Sequence, residues 1–159
     1  MRVGIGYDVH RLVHGRPLIL GGVTIASEWG LEGHSDADVL VHAIGDALLG
    51  ALALGDLGHH FPDTDPRHRG ISSLKLLEKV IAMVHDHAYR LHNVDAVVIA
   101  QRPRLASYIP AIRQNLAGLL LTDLGAVSVK AKTAENLGAL GRGEGIAVHA
   151  VCIIAPHSH

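Results

Sequence analysis

The chain has a single cysteine, Cys152, in an apolar stretch, so no intrachain disulfide framework holds it together. Aromatic residues are scarce, with one Trp, one Phe and three Tyr, too few for a base-stacking platform. Neither sign of charge dominates: 14 Lys and Arg against 15 Asp and Glu leave a net charge of -1, without the basic footprint of a nucleic-acid binder. No apolar run is long and uninterrupted enough to span a bilayer, and the opening residues contain no signal-peptide core. With the lone thiol, these absences predict a cytoplasmic protein with no membrane and no nucleic-acid partner. There is no repeat, linker or low-complexity segment, and 159 residues with 48% apolar content predict one domain over 1–159. Neither a Walker A pattern nor a G-x-G-x-x-G fingerprint occurs.

Histidine is abundant, with 13 copies. His85, His87, His92, His157 and His159 lie in polar or terminal contexts and read as surface residues. Residues 2–8 alternate weakly and read as a strand. "RPLILGGVTIAS" puts apolar triplets on either side of Gly21-Gly22, a hairpin signal. "SDADVLVHAIGDALLGALAL" reads as a long helix, with Ser35 as N-cap, Asp38 completing a capping-box-like start and Gly55 as the C-terminal stop. A loop follows, then a helix over about 72–88, a strand over 94–100, and a helix from Leu105 that restarts at Pro110 and runs to Leu121. Strands over 127–132 and 146–154 complete an α/β (α+β) sandwich: four main strands, three helices and a small hairpin.

Several stretches bear chemistry. In "YDVH", strand alternation puts Asp8 and His10 on one face, either as half of a metal site or as a polar strand end. His42 lies in the apolar helix with Asp38 one turn before and Asp46 one turn after, each spaced to orient a metal-bound imidazole. Asp8, His10 and His42 together make the two-imidazole, one-carboxylate donor set of an open zinc site. His34 and Ser35 sit where the predicted helix begins, a position that favours an anion. "FPDTDP" reads locally as an Asx-type turn. "KAKTAENLGALGRGEG" sets Lys132, Thr133 and Glu135 beyond a strand, either as a hairpin loop or as a phosphate and Mg²⁺ site.

In order and spacing, "GYDVHRL", "LILGGVTI", the "HSDADV…FPDTDP" block, "NVDAVVIAQRP", "VKAKTAENLG" and "GRGEGIAVHAV" resemble the 2-C-methyl-D-erythritol 2,4-cyclodiphosphate synthases. The resemblance covers essentially the whole chain. It implies a homotrimer with active sites between subunits, each subunit a four-stranded mixed sheet with helices on one face and the other face, with Tyr7, towards the threefold axis. It implies a phosphorus–oxygen lyase that converts 4-diphosphocytidyl-2-C-methyl-D-erythritol 2-phosphate into the cyclic diphosphate and CMP. By resemblance Asp8, His10 and His42 bind Zn²⁺, and Glu135 with substrate phosphates binds Mg²⁺ or Mn²⁺. His34 and Thr133 match transition-state stabilisers. Ser35, Asp56, Leu57 and Gly58, with Phe61, Pro62, Asp63, Thr64 and Asp65, match the pocket for the methylerythritol phosphate, Asp63 as a hydroxyl partner. Ala100, Gln101, Arg102, Pro103, Arg104, Leu105 and Ala106 match the nucleotide pocket, backed by Ala131, Lys132, Ala134 and Ala139. The sequence departs from the family's usual residues at Lys132, Ala134 and Ala139. Arg142 and Glu144 resemble a pair beside an axial cavity for isoprenoid diphosphates.

Overall fold

Alternation along the first strand gives it two unlike faces: Gly4, Gly6, Asp8 and His10 on one, Val3, Ile5, Tyr7 and Val9 on the other. The computed structural model, which describes residues 1–62, 64–68 and 70–157, covers the first face with a helix and leaves the second open. Along the chain the elements run β1 (Arg2–His14), β2 (Leu18–Leu20), β3 (Val23–Ile25), β4 (Trp29–Leu31), α1 (Val39–Ala51), α2 (Leu57–His60), α3 (Ser73–Asp86), β5 (Tyr89–Ile99), α4 (Ile109–Leu119), β6 (Val127–Lys132), α5 (Gly138–Gly141) and β7 (Gly145–Pro156).

The main sheet has the order β4-β1-β7-β5-β6. All pairs are antiparallel except β5 with β6, whose parallel pairing is bridged by α4, as a crossover requires. The four expected strands are all present, and the sheet is extended to five by β4, whose three residues are too few for a period-two signal. α1, α3 and α4 pack on one face. There Val94, Ala96 and Val98 of β5 and Val148, Ala150, Cys152 and Ile154 of β7 are buried. On the other face Val3, Ile5, Tyr7 and Val9 keep between 47% and 72% of their surface exposed.

The approach of α1 to β1 is close. A Cβ on Gly4 would overlap the carbonyl oxygen of Ala47, and one on Gly6 that of Ala43. This explains the weak alternation over 2–8: glycine replaces an apolar residue on the inner face because any side chain would push the helix away.

Both ends of α1 differ from expectation. Its N-cap is Asp38 rather than Ser35, with the carboxylate accepting the Val41 N–H at 3.1 Å. Ser35 (φ +61°) and Ala37 (φ +52°) adopt left-handed conformations that no helix continues through. Asp38 is fully buried and also accepts the N–H groups of Gly21 (3.0 Å) and Gly22 (2.7 Å). It therefore ties the helix to the tight β2–β3 turn, where both glycines have positive φ. Burial pushes the Asp38 carboxyl up to about 6 against the pull of these donors. At the other end the chain reverses at Ala53 (φ +60°), two residues before Gly55. There Ala53 N–H reaches Gly50 O (2.9 Å) and Leu54 N–H reaches Leu49 O (3.0 Å), the paired bonds of a Schellman stop.

α3 starts from a Ser72 cap and α4 carries Pro110 in its first turn, both close to expectation. His85, His87, His92 and His157 are exposed, whereas His159 lies outside the described residues. Among those residues no helix is long and apolar enough to cross a membrane.

Gly6→Ala should destabilise the protein by about 3 kcal/mol or more, because helix backbone has to move. Denaturant unfolding measures this, and a change below about 0.5 kcal/mol would contradict the close approach.

Candidate metal centre

Asp8 and His10 leave β1 side by side and meet His42 from the first turns of α1. His10 Nε2 and His42 Nδ1 lie 2.9 and 3.1 Å from the same oxygen, Asp8 Oδ2, and 3.4 Å from each other. Ligands held about 2.0–2.1 Å from a tetrahedral zinc are separated by about 3.3 Å, so the three atoms are spaced like one face of such a site. Among the described residues this is the one group of His, Cys, Asp and Glu side chains that converges in this way.

Burial opposes the charge on Asp8, but hydrogen bonds and charges from His10 and His42 outweigh it and hold the carboxyl well below the usual range. The bond to Asp8 in turn raises His10 above its ordinary value, against its burial. The other His10 nitrogen, Nδ1, lies 2.7 Å from the Glu32 carbonyl. A carbonyl only accepts, so Nδ1 carries the proton and neutral His10 presents the Nε2 lone pair to a metal.

Neither aspartate flanking His42 orients it. Asp38 turns back to cap the helix, and Asp46 accepts the Leu57 N–H at 2.8 Å. His42 Nε2 instead meets Ser73 Oγ at 2.8 Å, and that hydroxyl donates to Asp36. Nothing in the sequence marks Ser73 or Asp36 for this role.

The triad opens into a cavity of about 420 Å³ that is also lined by His34, Ser35, Leu57, Gly58 and Phe61. Asp46, read from the sequence only as a partner for His42, lines it as well, as do His68, Ile71 and Leu76, which the sequence does not single out. His68 Nδ1 is buried with no hydrogen-bond partner. Asp56 caps α2 by accepting the His59 N–H at 2.9 Å. Asp65 turns to Arg67, whose guanidinium holds its carboxyl at about 2, in the Asx-type turn read from the sequence. Pro62 and Thr64 do not line the cavity, and Asp63 lies outside the described residues.

The remaining expected residues gather elsewhere. Ala100 N–H donates to Lys132 O at 2.8 Å, and Asn136 N–H to Gln101 Oε1 at 3.3 Å, joining segments 100–106 and 131–136. Ala131 pairs with Val98 in the β5–β6 ladder, and Leu105 is buried while Arg104 and Ala106 are exposed. Arg102 follows its own course, its guanidinium 5.4 Å over the Trp29 ring, and Pro103 follows it through a cis peptide. Lys132, Thr133, Ala134 and Ala139 line a second cavity, of about 510 Å³. Thr133 Oγ1 donates to Glu135 Oε1 at 2.8 Å, and Arg142 Nε to Glu144 Oε1 at 2.6 Å. No residue of the first cavity comes from 100–142. β7 and β5 lie between β1 and β6, three strand spacings or about 14 Å.

The YgbB family profile matches residues 1–155. A curated 2-C-methyl-D-erythritol 2,4-cyclodiphosphate synthase of Desulfitobacterium hafniense (strain DSM 10664 / DCB-2) is 63% identical over 97% of this chain and 98% of its own. The protein of that name from Geobacter metallireducens is 60% identical over 97% and 98%. A solved 2C-methyl-D-erythritol-2,4-cyclodiphosphate synthase in its CDP-bound form matches with a TM-score of 0.91 at 38% identity, over 97% of this chain and 100% of its own. The bifunctional IspDF of Campylobacter jejuni matches with a TM-score of 0.93 at 41% identity over 98% of this chain, which spans 42% of that protein.

The shifted groups give the metal site a pH dependence. The depressed Asp8 stabilises the metal-free fold above its unfolded value, and that term is lost as pH falls through the folded one. The raised His10 stabilises it below about pH 6.5, and that term is lost as pH rises through the folded value. A metal needs neutral His10, so below that value binding must expel its proton. Calorimetric zinc titrations near about pH 6 should release about one proton, with affinity climbing up to about tenfold per pH unit. Flat affinity between about pH 5.5 and 8 with no proton release would contradict His10 ligation.

Proposed function

The chain belongs to the YgbB family, and from that premise we propose that it forms 2-C-methyl-D-erythritol 2,4-cyclodiphosphate and CMP from 4-diphosphocytidyl-2-C-methyl-D-erythritol 2-phosphate. The observation that carries the reading is the convergence of Asp8, His10 and His42 on one point of a cavity, in a chain whose near full-length relatives are named for that product. The substrate's own 2-phosphate attacks its β-phosphorus. One phosphorus–oxygen bond forms, the bond to CMP breaks, and no water is consumed.

Two anionic groups have to approach each other, so neutralising and orienting them is the main task. We assign zinc to the triad and Mg²⁺ or Mn²⁺ to Glu135 with the substrate phosphates; when bound, these ions would supply Lewis-acid polarisation and charge neutralisation. His34 and Thr133 donate hydrogen bonds to the charge that develops. Ser35, Leu57, Gly58 and Phe61 wall the methylerythritol phosphate, with Asp56 and Asp63 as polar partners, and segments 100–106 and 131–139 hold the cytidine diphosphate. No protein nucleophile is needed, in keeping with Cys152, a core thiol that burial pushes up to about 11.

A homotrimer completes this reading. Thr133 and Glu135 lie across the sheet from the triad, yet one substrate has to touch both groups, so a second copy of the chain would supply the nucleotide half. The open apolar face of Val3, Ile5, Tyr7 and Val9 supports such an assembly. Residues 1–159 act as one synthase domain in the cytoplasm, and Arg142 with Glu144 guards an axial cavity for an isoprenoid diphosphate.

The test is turnover of the substrate with Zn²⁺ and Mg²⁺ in isotopically labelled water, read by phosphorus NMR. Equal amounts of CMP and cyclic product with no solvent oxygen incorporated are expected. A linear product carrying solvent oxygen would instead mark a metal-dependent phosphodiesterase.

A further inference from the structure

We propose that Ser73 and Asp36 are positioning residues of the metal centre: through a directed pair of hydrogen bonds they fix which nitrogen of His42 faces the metal. The inference rests on the metal-binding reading of Asp8, His10 and His42.

The direction of the bonds follows from counting protons. Ser73 Oγ touches two partners, His42 Nε2 at 2.8 Å and Asp36 Oδ1 at a shorter distance. A serine hydroxyl has one proton to give, and a carboxylate only accepts. The proton therefore goes to Asp36, and the serine oxygen is left to accept from His42, which must carry its proton on Nε2. In the neutral ring that a metal requires, the His42 lone pair then lies on Nδ1, the atom 3.1 Å from Asp8 Oδ2 and 3.4 Å from His10 Nε2. This is the tautomer a metal at the triad requires. Ser73 is fully buried, so water does not compete for the bond.

Asp36 is anchored from several sides. Its carboxylate accepts the Ser73 N–H at 3.3 Å, the Asp38 N–H at 3.4 Å and the Ser35 hydroxyl at 3.3 Å. The two left-handed residues, Ser35 and Ala37, flank it and aim Asp36 at α3 while Asp38 aims at the β2–β3 turn. One carboxylate thus joins the turn bearing His34 and Ser35, the start of α3 and the metal-facing ring of α1.

Zinc affinity of the metal-free protein, by competition with a chelator, is compared for the wild type, Ser73→Ala and Ser73→Thr. Ser73→Ala should bind zinc about 10- to 100-fold more weakly, and Ser73→Thr, which keeps the hydroxyl, should recover most of that loss. In zinc-loaded wild type, proton NMR should show the His42 Nε2–H downfield and slow to exchange, a measurement that needs no variant to fold. Ser73→Ala binding zinc as tightly as the wild type, or a wild-type His42 ring proton exchanging like that of a free imidazole, would overturn the proposal. Failure of the underlying metal assignment shows separately, as His42→Ala binding zinc at wild-type strength.

Discussion

Helix α1 touches the backbone of β1 because Gly4 and Gly6 present no Cβ, and that contact sets the distance across which Asp8 and His10 reach His42. The geometry is a simple ladder. Two residues along a strand advance about 6.6 Å, and four along a helix about 6 Å. Gly4 lies at Ala47 and Gly6 at Ala43, so the next inward position, Asp8, falls beside the first turn of α1, where His42 projects. A side chain at either glycine would lift the helix and open the triangle of ligand atoms. The feature that makes the strand look unremarkable is therefore the one that assembles the site.

The remaining contacts hold that arrangement in register. Asp38 and Asp36, two residues apart, divide the work around a turn with alternate left-handed residues. Asp38 is buried under three backbone donors and fastens the β2–β3 turn to the helix start. Asp36 fastens α3 and reaches His42 through Ser73. On the strand side Glu32, beside β4, takes the outer nitrogen of His10. Each imidazole is thus gripped at the nitrogen that does not face Asp8, leaving the inner nitrogens to face one carboxylate oxygen.

Much of this was legible in the sequence, for reasons that differ by residue. Period-two spacing placed Asp8 and His10 together, weak alternation gave the first strand and clear alternation the strand over 127–132, apolar runs gave the other two main strands and the hairpin, and helix periodicity gave α3 nearly to its ends. The donor types grouped Asp8, His10 and His42 as a metal set, but the resemblance supplied their convergence, since no spacing rule links position 10 with position 42. The Ser35 cap failed because a local capping rule cannot see that Asp38 is also claimed by Gly21 and Gly22 across the fold. Gly55 failed as the helix stop because the paired carbonyl bonds form first at Ala53. Asp38 and Asp46 share a helical face with His42, yet each has a backbone N–H closer at hand, and the partner of His42 comes from Ser73, thirty-one positions along the chain. β4 was too short to register, and His68 became visible only where the loop folds over the cavity.

On the proposed reading, the distance between the triad on β1 and Thr133 and Glu135 beyond β6 gives the outer sheet face its meaning: a second copy of the chain would bring both groups onto one substrate, and the uncovered apolar residues of β1 offer a surface for that contact. Everything in that picture depends on the triad binding a metal. Zinc-edge X-ray absorption on protein loaded with one equivalent tests this most directly. The account predicts a four-coordinate shell of light atoms at about 2.0–2.1 Å with the outer scattering of two imidazoles, losing one of them in His42→Ala. A shell of oxygen alone without imidazole scattering, or a spectrum unchanged by that substitution, would contradict it.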